Sequence, residues 1–513
     1  MVTCQDAVVH VPPTQVQSEH PSLTEFLTRN LSVHERSGIA VLSFNQWPWT
    51  TGAVIETAVA AHQVGSAVTV GFWCDKTPLK DTGWSTSHRI ARLSRSSPIE
   101  ASAKTLIQQA GVPDSAFVNP PISRHRKKVA TLPDPLTRSA IRDLRYRGSD
   151  MGQSILQVHP NNNTPIREDF EWPRRWVRTA ARSYAWVFDQ TRALIEMRGI
   201  TSIVVFNGRF THDRAAAAAA ESLGVKVLYY DYGGLETFFD LTHTNTHDWN
   251  SLQQRMQIMW ETWGDDREVI AREWFDNREK HQESGIQAFV GMQEQNHLPD
   301  LPQDHQLMVF FSSSGDEIAE LDLDWTKHFN SQENAVRTLA RIFSGMDDTT
   351  FVVRTHPHML TKPADDRLRW IAAVNAIGEN IHIPPDSPTD SYALMRAAKC
   401  VFTYGSTTGV EAAYRGIPVA VLGPSAYHLL DCATPLNSES AIKEWIADIP
   451  TCDPTKALPY GLMMQRRGFN LQWLSKDEEG ALMRNGTYLV DATPLTRKLS
   501  DLLKRLQVWW LTR

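Results

Sequence analysis

Cys400-Val-Phe-Thr-Tyr-Gly-Ser-Thr-Thr-Gly-Val-Glu-Ala-Ala-Tyr-Arg-Gly-Ile-Pro-Val-Ala-Val-Leu422 holds a complete structural syllable. Cys400 to Tyr404 is an apolar run of strand length, and Gly405 to Gly409 is a hydroxyl-rich turn. Val410 to Tyr414 has helical composition, and Pro418 to Leu422 is a second strand. Strand, loop, helix and strand at these lengths imply a right-handed crossover and a parallel sheet covered by helices. The syllable recurs upstream. Ile39–Phe44 is a strand, Asn45 to Thr51 a loop, Ala53–Val64 a helix and Ala67–Trp73 a strand. Ser202–Phe206 is a strand, Asn207 to Asp213 a loop, and Arg214–Leu223 a helix carrying six consecutive alanines. Val225–Tyr230 follows as a strand. Gly65 and Gly224 stand where left-handed helix stops are expected.

Further strands are read at Leu307–Phe311 and Thr350–Arg354, after a polar, proline-bearing stretch, Asn296 to Gln306, that reads as an interdomain linker. The most economical organisation is two α/β halves, residues 1–300 and 301–490, with 491–513 as a terminal amphipathic helix. In that last segment Leu495, Leu499, Leu502, Leu503, Leu506, Trp509 and Trp510 recur at helical spacing behind Pro494. Arg497, Lys498, Lys504, Arg505 and Arg513 lie among and after them. Such a helix either packs on the body or lies against anionic lipid as a peripheral membrane contact.

Composition narrows the function. The 513 residues are 42% hydrophobic and 21% charged, which excludes wholesale disorder. A net charge of −6 argues against a general nucleic-acid binder. Five scattered cysteines, never spaced C-x-x-C, fit neither a disulfide framework nor a structural zinc site. With no apolar run long enough for a membrane span and no signal pattern, a cytoplasmic protein is expected. The basic stretch Arg124 to Arg147 reads as a solvated face or as a contact for an anionic acceptor or a membrane surface.

Three loops of the second half fall at the carboxyl ends of strands, where doubly wound sheets bind ligands. Ser312-Ser313-Ser314-Gly315 is rich in hydroxyls. In Arg354-Thr-His-Pro357, proline limits the backbone after His356, and an imidazole N–H with Arg354 would stabilise negative charge. In Gly405–Gly409, Ser406, Thr407 and Thr408 offer donors at a helix start, and Glu411 follows where it would accept hydrogen bonds from ribose hydroxyls. The alternative gives Ser406 or Thr407 an N-cap role and leaves Glu411 as a first-turn charge. A metal reading of His356-x-His358, or of His243 with His247, lacks a third ligand.

Arg354-Thr-His-Pro357, Asp390-Ser-Tyr-Ala-Leu-Met395 and Tyr404 to Pro418 resemble the second half of bacterial capsule and surface-polysaccharide glycosyltransferases of the GT-B fold, over roughly residues 305–430. Asn207-Gly-Arg-Phe210, with Gly233-Gly234, is similar to a first-half signature of related enzymes. The resemblance implies two Rossmann-like domains with parallel sheets facing a central cleft, acceptor on the first and nucleotide-sugar donor on the second. It implies that His356-Pro357 and Ser406-Thr407 contact donor phosphate, that Glu411 contacts ribose, and that Asp390 and Ser391 lie beside the donor. No metal or other cofactor is expected; the partners are the nucleotide sugar and a glycan or lipid-linked glycan acceptor. Asp390 and Ser391 are equally read as the cap of the helix at Tyr392 to Ala398.

An inverting transfer also needs a base. Glu236, beside Gly233-Gly234, is the preferred candidate, Asp231 the second; His356 would stabilise the leaving group. Asn45, Trp47 and Trp49 offer a sugar-stacking platform, and Asn207 and Arg209 an acceptor contact. The expected activity is transfer of a sugar to a surface or exported polysaccharide. Alternatives are a nucleotide-sugar epimerase, a transferase of polyol phosphate from a cytidine diphosphate donor, or a non-catalytic glycan-binding scaffold.

Overall fold

The computed structural model describes residues 21–31, 38–45, 47–77, 98–121, 129, 131–158, 168–280, 293–313, 329, 331–376, 378, 380–490 and 509. In the first half, β1 (Gly38–Ser43), β2 (Ala67–Phe72), β3 (Ile200–Phe206), β4 (Lys226–Tyr232) and β5 (Phe239–Thr242) form one sheet. Its order is β2-β1-β3-β4-β5, parallel except for the edge strand β5. In the second half lie β6 (Gln306–Phe311), β7 (Thr349–Arg354), β8 (Ile381–Ile383), β9 (Cys400–Thr403), β10 (Val419–Val421) and β11 (Thr434–Pro435). They run in the order β11-β10-β9-β6-β7-β8, all parallel. The architecture is GT-B: two Rossmann-like α/β domains. Every residue of β1 and of β9 is buried, because helices cover both faces of each sheet. That burial is why these strands read as unbroken apolar runs.

Two helices begin earlier than their composition suggests. Pro48–Gln63 starts at Pro48, where a residue without an N–H loses no helical hydrogen bond. Trp49 therefore lies in a helix rather than in the expected loop. Thr211–Glu221 starts before Arg214, and its alanines Ala215 to Ala220 are all buried, small enough to let it press against the long helix Arg174–Arg198. Gly65 and Gly224 take left-handed φ of +83° and +68° at the expected stops.

The division at residues 300 and 490 needs correction. Helices Trp249–Thr262 and Arg267–Glu279 place Met256, Met259, Ile270, Trp274 and Phe275 in one core with Val309, Val401 and the helix Leu458–Arg466 of the second half. Conversely, Phe469, Leu474, Leu482 and Leu489 lie in the core of the first sheet, with Ile39, Val41 and Val204. The chain thus crosses between the cores before residue 249 and again after residue 466. The returning segment, which includes the small sheet β12 (Ser475–Lys476), β13 (Leu482–Arg484) and β14 (Thr487–Tyr488), is latched by a buried carboxylate. Glu56 of helix Pro48–Gln63 accepts the backbone N–H groups of Gln472, Trp473 and Leu474 at 2.7–3.0 Å. Burial raises its pKa, against the three hydrogen bonds and Arg484.

Of the expected terminal helix only Trp509 is among the described residues, and it is half exposed. Arg124, Arg126, Lys127 and Lys128 also lie outside them. The remainder of the basic stretch is largely engaged: Arg138 is buried over the Trp172 ring, Arg142 pairs with Glu168 and Arg147 with Asp189. No helix among the described residues is long and apolar enough to cross a membrane.

Candidate functional site

Because β6 lies between β7 and β9, the loops that follow these three strands stand side by side at the carboxyl edge of the second sheet. Hydrogen bonds tie them together. The His356 N–H donates to Ser312 Oγ at 2.8 Å, and Ser313 Oγ donates to the Tyr404 carbonyl at 2.8 Å. Ser314 and Gly315 lie outside the described residues. The turn after β9 needs glycine: Gly405 has φ +87°, and a Cβ there would stand 2.0 Å from the Pro424 carbonyl oxygen. Tyr427 donates its hydroxyl to the Ser406 carbonyl at 2.7 Å, and Thr408 Oγ1 lies 3.0 Å from Ser406 Oγ. Thr407 is exposed at the N-cap of the short helix Thr408–Tyr414.

His356 caps the 3-10 turn Pro357–Thr361, with Pro357 at its first position. Its Nδ1 accepts the His358 backbone N–H at 3.1 Å. In the neutral ring this fixes the proton on Nε2, making that nitrogen a donor. Arg354 behaves otherwise. It is 2% exposed, and its two terminal nitrogens donate to the carbonyls of Pro384 and Ser387. Burial pushes its pKa down to about 10. Arg354 braces the 384–387 loop beside the site and is not extended toward a phosphate.

Three other expected donor contacts also face the protein. Glu411 is 3% exposed; its Oε1 accepts from Arg278 Nε at 2.6 Å and its Oε2 from the Tyr392 hydroxyl at 2.8 Å. A ribose would have to displace a buried ion pair to reach it. Asp390 is 2% exposed and caps the helix Ser391–Ala397, accepting from the Tyr392 N–H, while its second oxygen accepts from the Asn296 N–H. The Ser391 N–H donates to Gln293. Asp390 and Ser391 fasten the linker to this helix.

In the first domain, Asn207, Gly208 and Arg209 form a tight turn after β3. Asn207 Oδ1 accepts the Arg209 N–H at 3.0 Å, and Gly208, at φ +71°, leaves no room for a Cβ beside the Tyr229 ring. Arg209 Nε donates to Gln157 Oε1. Asn45 is buried and accepts from Thr50, so it shapes the start of helix Pro48–Gln63 instead of facing a ligand. Trp47 packs edge-on against Phe206, while Trp49 lies 3.8 Å from the half-exposed Tyr232, ring centroid to centroid.

Glu236 is the least suited to act as a base. Half exposed, it pairs with Arg466 and accepts from Gln465 Nε2 at 3.0 Å, at the seam where the chain returns to the first domain. Asp231, at the end of β4, is different: it accepts the Tyr232 N–H at 2.8 Å and the Thr246 hydroxyl at 3.0 Å, and burial raises its pKa.

Next to Thr246 opens a polar cavity of about 560 Å³, lined by Gln157, Arg209, Asn245 and His247 from the first domain and by Trp249 and His428 from the second. Burial, with Arg209 and Arg467 close by, pushes His247 down to about 3, so its ring is neutral. The His428 Nδ1–H faces the Ser425 carbonyl at 2.6 Å. His428 went unnoticed in the sequence because it belongs to no periodic element; its one signal is its place just beyond the strand ending at Leu422. Among the described residues no three His, Cys, Asp or Glu side chains converge as a metal-binding group.

No protein-family model matches the chain, and no curated protein does. Among solved structures it is similar to KpsC, a β-Kdo 2,4 transferase, from Thermosulfurimonas dismutans (12% identity, TM-score 0.36, 52% of this chain and 80% of that one). It is similar to a UDP-GlcNAc 2-epimerase from Neisseria meningitidis bound to UDP-GlcNAc (10%, TM-score 0.29, 84% and 95%). A third is the glycotransferase of kitacinnamycin (13%, TM-score 0.24, 91% and 98%). At these scores the likeness carries no argument about activity, and the functional reading rests on the residues.

Proposed function

We propose that the protein is a glycosyltransferase that takes a sugar from a nucleotide-sugar donor and delivers it to a growing surface or exported glycan. The observation that carries this is the set of donors at one sheet edge, His356 with its Nε2–H and the Ser406 to Thr408 turn, and the polar cavity reaches toward that edge through His428, which hydrogen-bonds the Ser425 carbonyl next to Gly405. In this reading the N–H and O–H groups of these loops neutralise the leaving diphosphate, and no resident metal is required. Asp231 takes the proton of the acceptor hydroxyl as the glycosidic bond forms. Its raised pKa suits that task better than the Arg466-paired Glu236.

The test is direct. Purified protein is screened for thermal shifts with CMP, CDP, UDP and GDP, because preferential binding stabilises the fold. It is then incubated with the matching nucleotide sugars and a glycan acceptor. Glycan extension with release of nucleotide supports the reading. Release of a free epimer instead assigns the donor loops to an epimerase, and no nucleotide binding removes the proposal.

A further inference from the structure

The cavity between the two domains presents two kinds of polar group. Its charged groups are engaged. Asp150 and Glu221 both pair with Arg214, at 2.9 Å each, Asp248 caps the helix Trp249–Thr262 by accepting from Ser251, and Arg209 donates to Gln157. Three carboxylates against two guanidiniums leave the wall with no surplus of positive charge. The neutral groups are the open ones. His247 Nε2 is buried without a hydrogen-bond partner, and its ring stays uncharged because burial and the nearby guanidiniums push its pKa down to about 3. The His428 Nδ1–H is used on the Ser425 carbonyl, which in the neutral ring leaves Nε2 as an acceptor. The Trp249 indole N–H and the exposed Asn250 amide have no partner among the described residues. Buried polar atoms are as a rule hydrogen-bonded, so an open imidazole nitrogen in this wall calls for a hydroxyl, from water or from a ligand. A volume of about 560 Å³ falls within the range of small-ligand sites.

We propose that this cavity seats an uncharged, hydroxyl-rich sugar ring of the acceptor, whose hydroxyls hydrogen-bond His247, His428, Trp249 and Asn250. The word acceptor rests on the transferase reading, but the choice of a neutral ring over an acidic one is a property of the wall. Imidazole, indole and amide together supply donors and acceptors, and a hydroxyl serves either sense. A carboxylate or phosphate only accepts, and it would enter beside three carboxylates with both guanidiniums already engaged. The residue before His247, Thr246, donates to Asp231 Oδ2 at 3.0 Å, so a ring held by His247 lies beside the proposed base.

The experiment uses the full chain and matched probes, the methyl glycosides of glucose, galactose and mannose and the corresponding methyl uronides, titrated by ligand-observed NMR. In at least one pair the neutral member is expected to bind about tenfold or more tightly than its acid, about 1.4 kcal/mol. His247→Ala and Asn250→Ala each weaken that binding about two- to tenfold, the scale for losing one neutral hydrogen bond. Asn250 is exposed, so its variant reports on binding even where His247→Ala folds poorly. Equal or tighter binding of the acid in every pair, no binding of any neutral glycoside, an unaltered affinity in folded Asn250→Ala or His247→Ala, or competition between UDP and the preferred glycoside overturns the proposal. Nucleotide shifts are recorded on the same samples. Absent neutral preference with intact nucleotide binding sinks only the sugar seat, and intact neutral preference without nucleotide binding sinks only the donor reading.

Discussion

Removing the carboxylate of Glu411 distinguishes a structural role from a ribose contact. Its two oxygens hold Arg278 Nε at 2.6 Å and the Tyr392 hydroxyl at 2.8 Å, with side-chain exposures of 4% for Glu411 and 18% for Arg278. Glu411→Ala leaves a largely buried guanidinium without its counter-charge, a loss of about 3–5 kcal/mol. Glu411→Gln is milder: its amide oxygen still accepts from Arg278 and its NH₂ donates to Tyr392, so only the charge assistance is lost, about 1.5–3 kcal/mol. With a urea m-value of about 3 kcal/mol/M, the Ala variant unfolds about 1–1.7 M earlier in denaturant. Arg278→Met with Glu411→Met recovers most of that, since no charge is then buried alone. The assay is urea unfolding followed by tryptophan fluorescence, with nucleotide affinity measured below the transition. An unshifted midpoint in Glu411→Ala, together with collapsed nucleotide affinity, would refute the structural assignment and restore the ribose contact.

Three further outcomes follow from the site. His356→Ala is expected to lower turnover about 10²-fold or more with an unchanged melting temperature, measured by nucleotide release, because it removes a preorganised donor to the leaving group. Asp231→Asn abolishes transfer while keeping donor affinity. In the parent, activity falls with decreasing pH through a pKa above the ordinary carboxylate range, because the raised pKa makes the base protonate early; an acid limb in the ordinary range argues for another base. Gly405→Ala costs both a left-handed backbone and a collision with the Pro424 carbonyl, so nucleotide binding weakens even if the protein folds; unchanged binding would mean the turn after β9 does not hold the donor.

What could be read from the sequence follows from burial. Strands such as Ile39–Phe44 and Cys400–Tyr404 are covered on both faces, so they appear as unbroken apolar runs, and the loops between them carry the glycines, hydroxyls and His-Pro pair that chemistry needs. The antiparallel edge strand β5 is four residues long and leaves no comparable run. Partners distant in sequence were not legible. Glu411 reads as a first-turn charge until Arg278, 133 residues earlier, is found beside it. Arg354 has the composition of an anion ligand, and only the fold reveals the carbonyls of Pro384 and Ser387 that hold it. Glu236 is favoured by its place beside Gly233-Gly234, yet those glycines are needed because a Cβ on either would strike Thr237 or the Gln465–Arg466 backbone.

The Glu56 latch also bears on the order in which the protein is made. A ribosome releases the strands of the first sheet early, but Phe469, Leu474, Leu482 and Leu489, which complete its core, emerge only after the whole second sheet has been synthesised. Until then the Glu56 carboxylate lacks the three N–H groups that it holds in the finished fold. The nascent first half therefore waits with an open apolar flank, and chaperone occupancy on ribosomes stalled before residue 469 should exceed that on the full chain after its release.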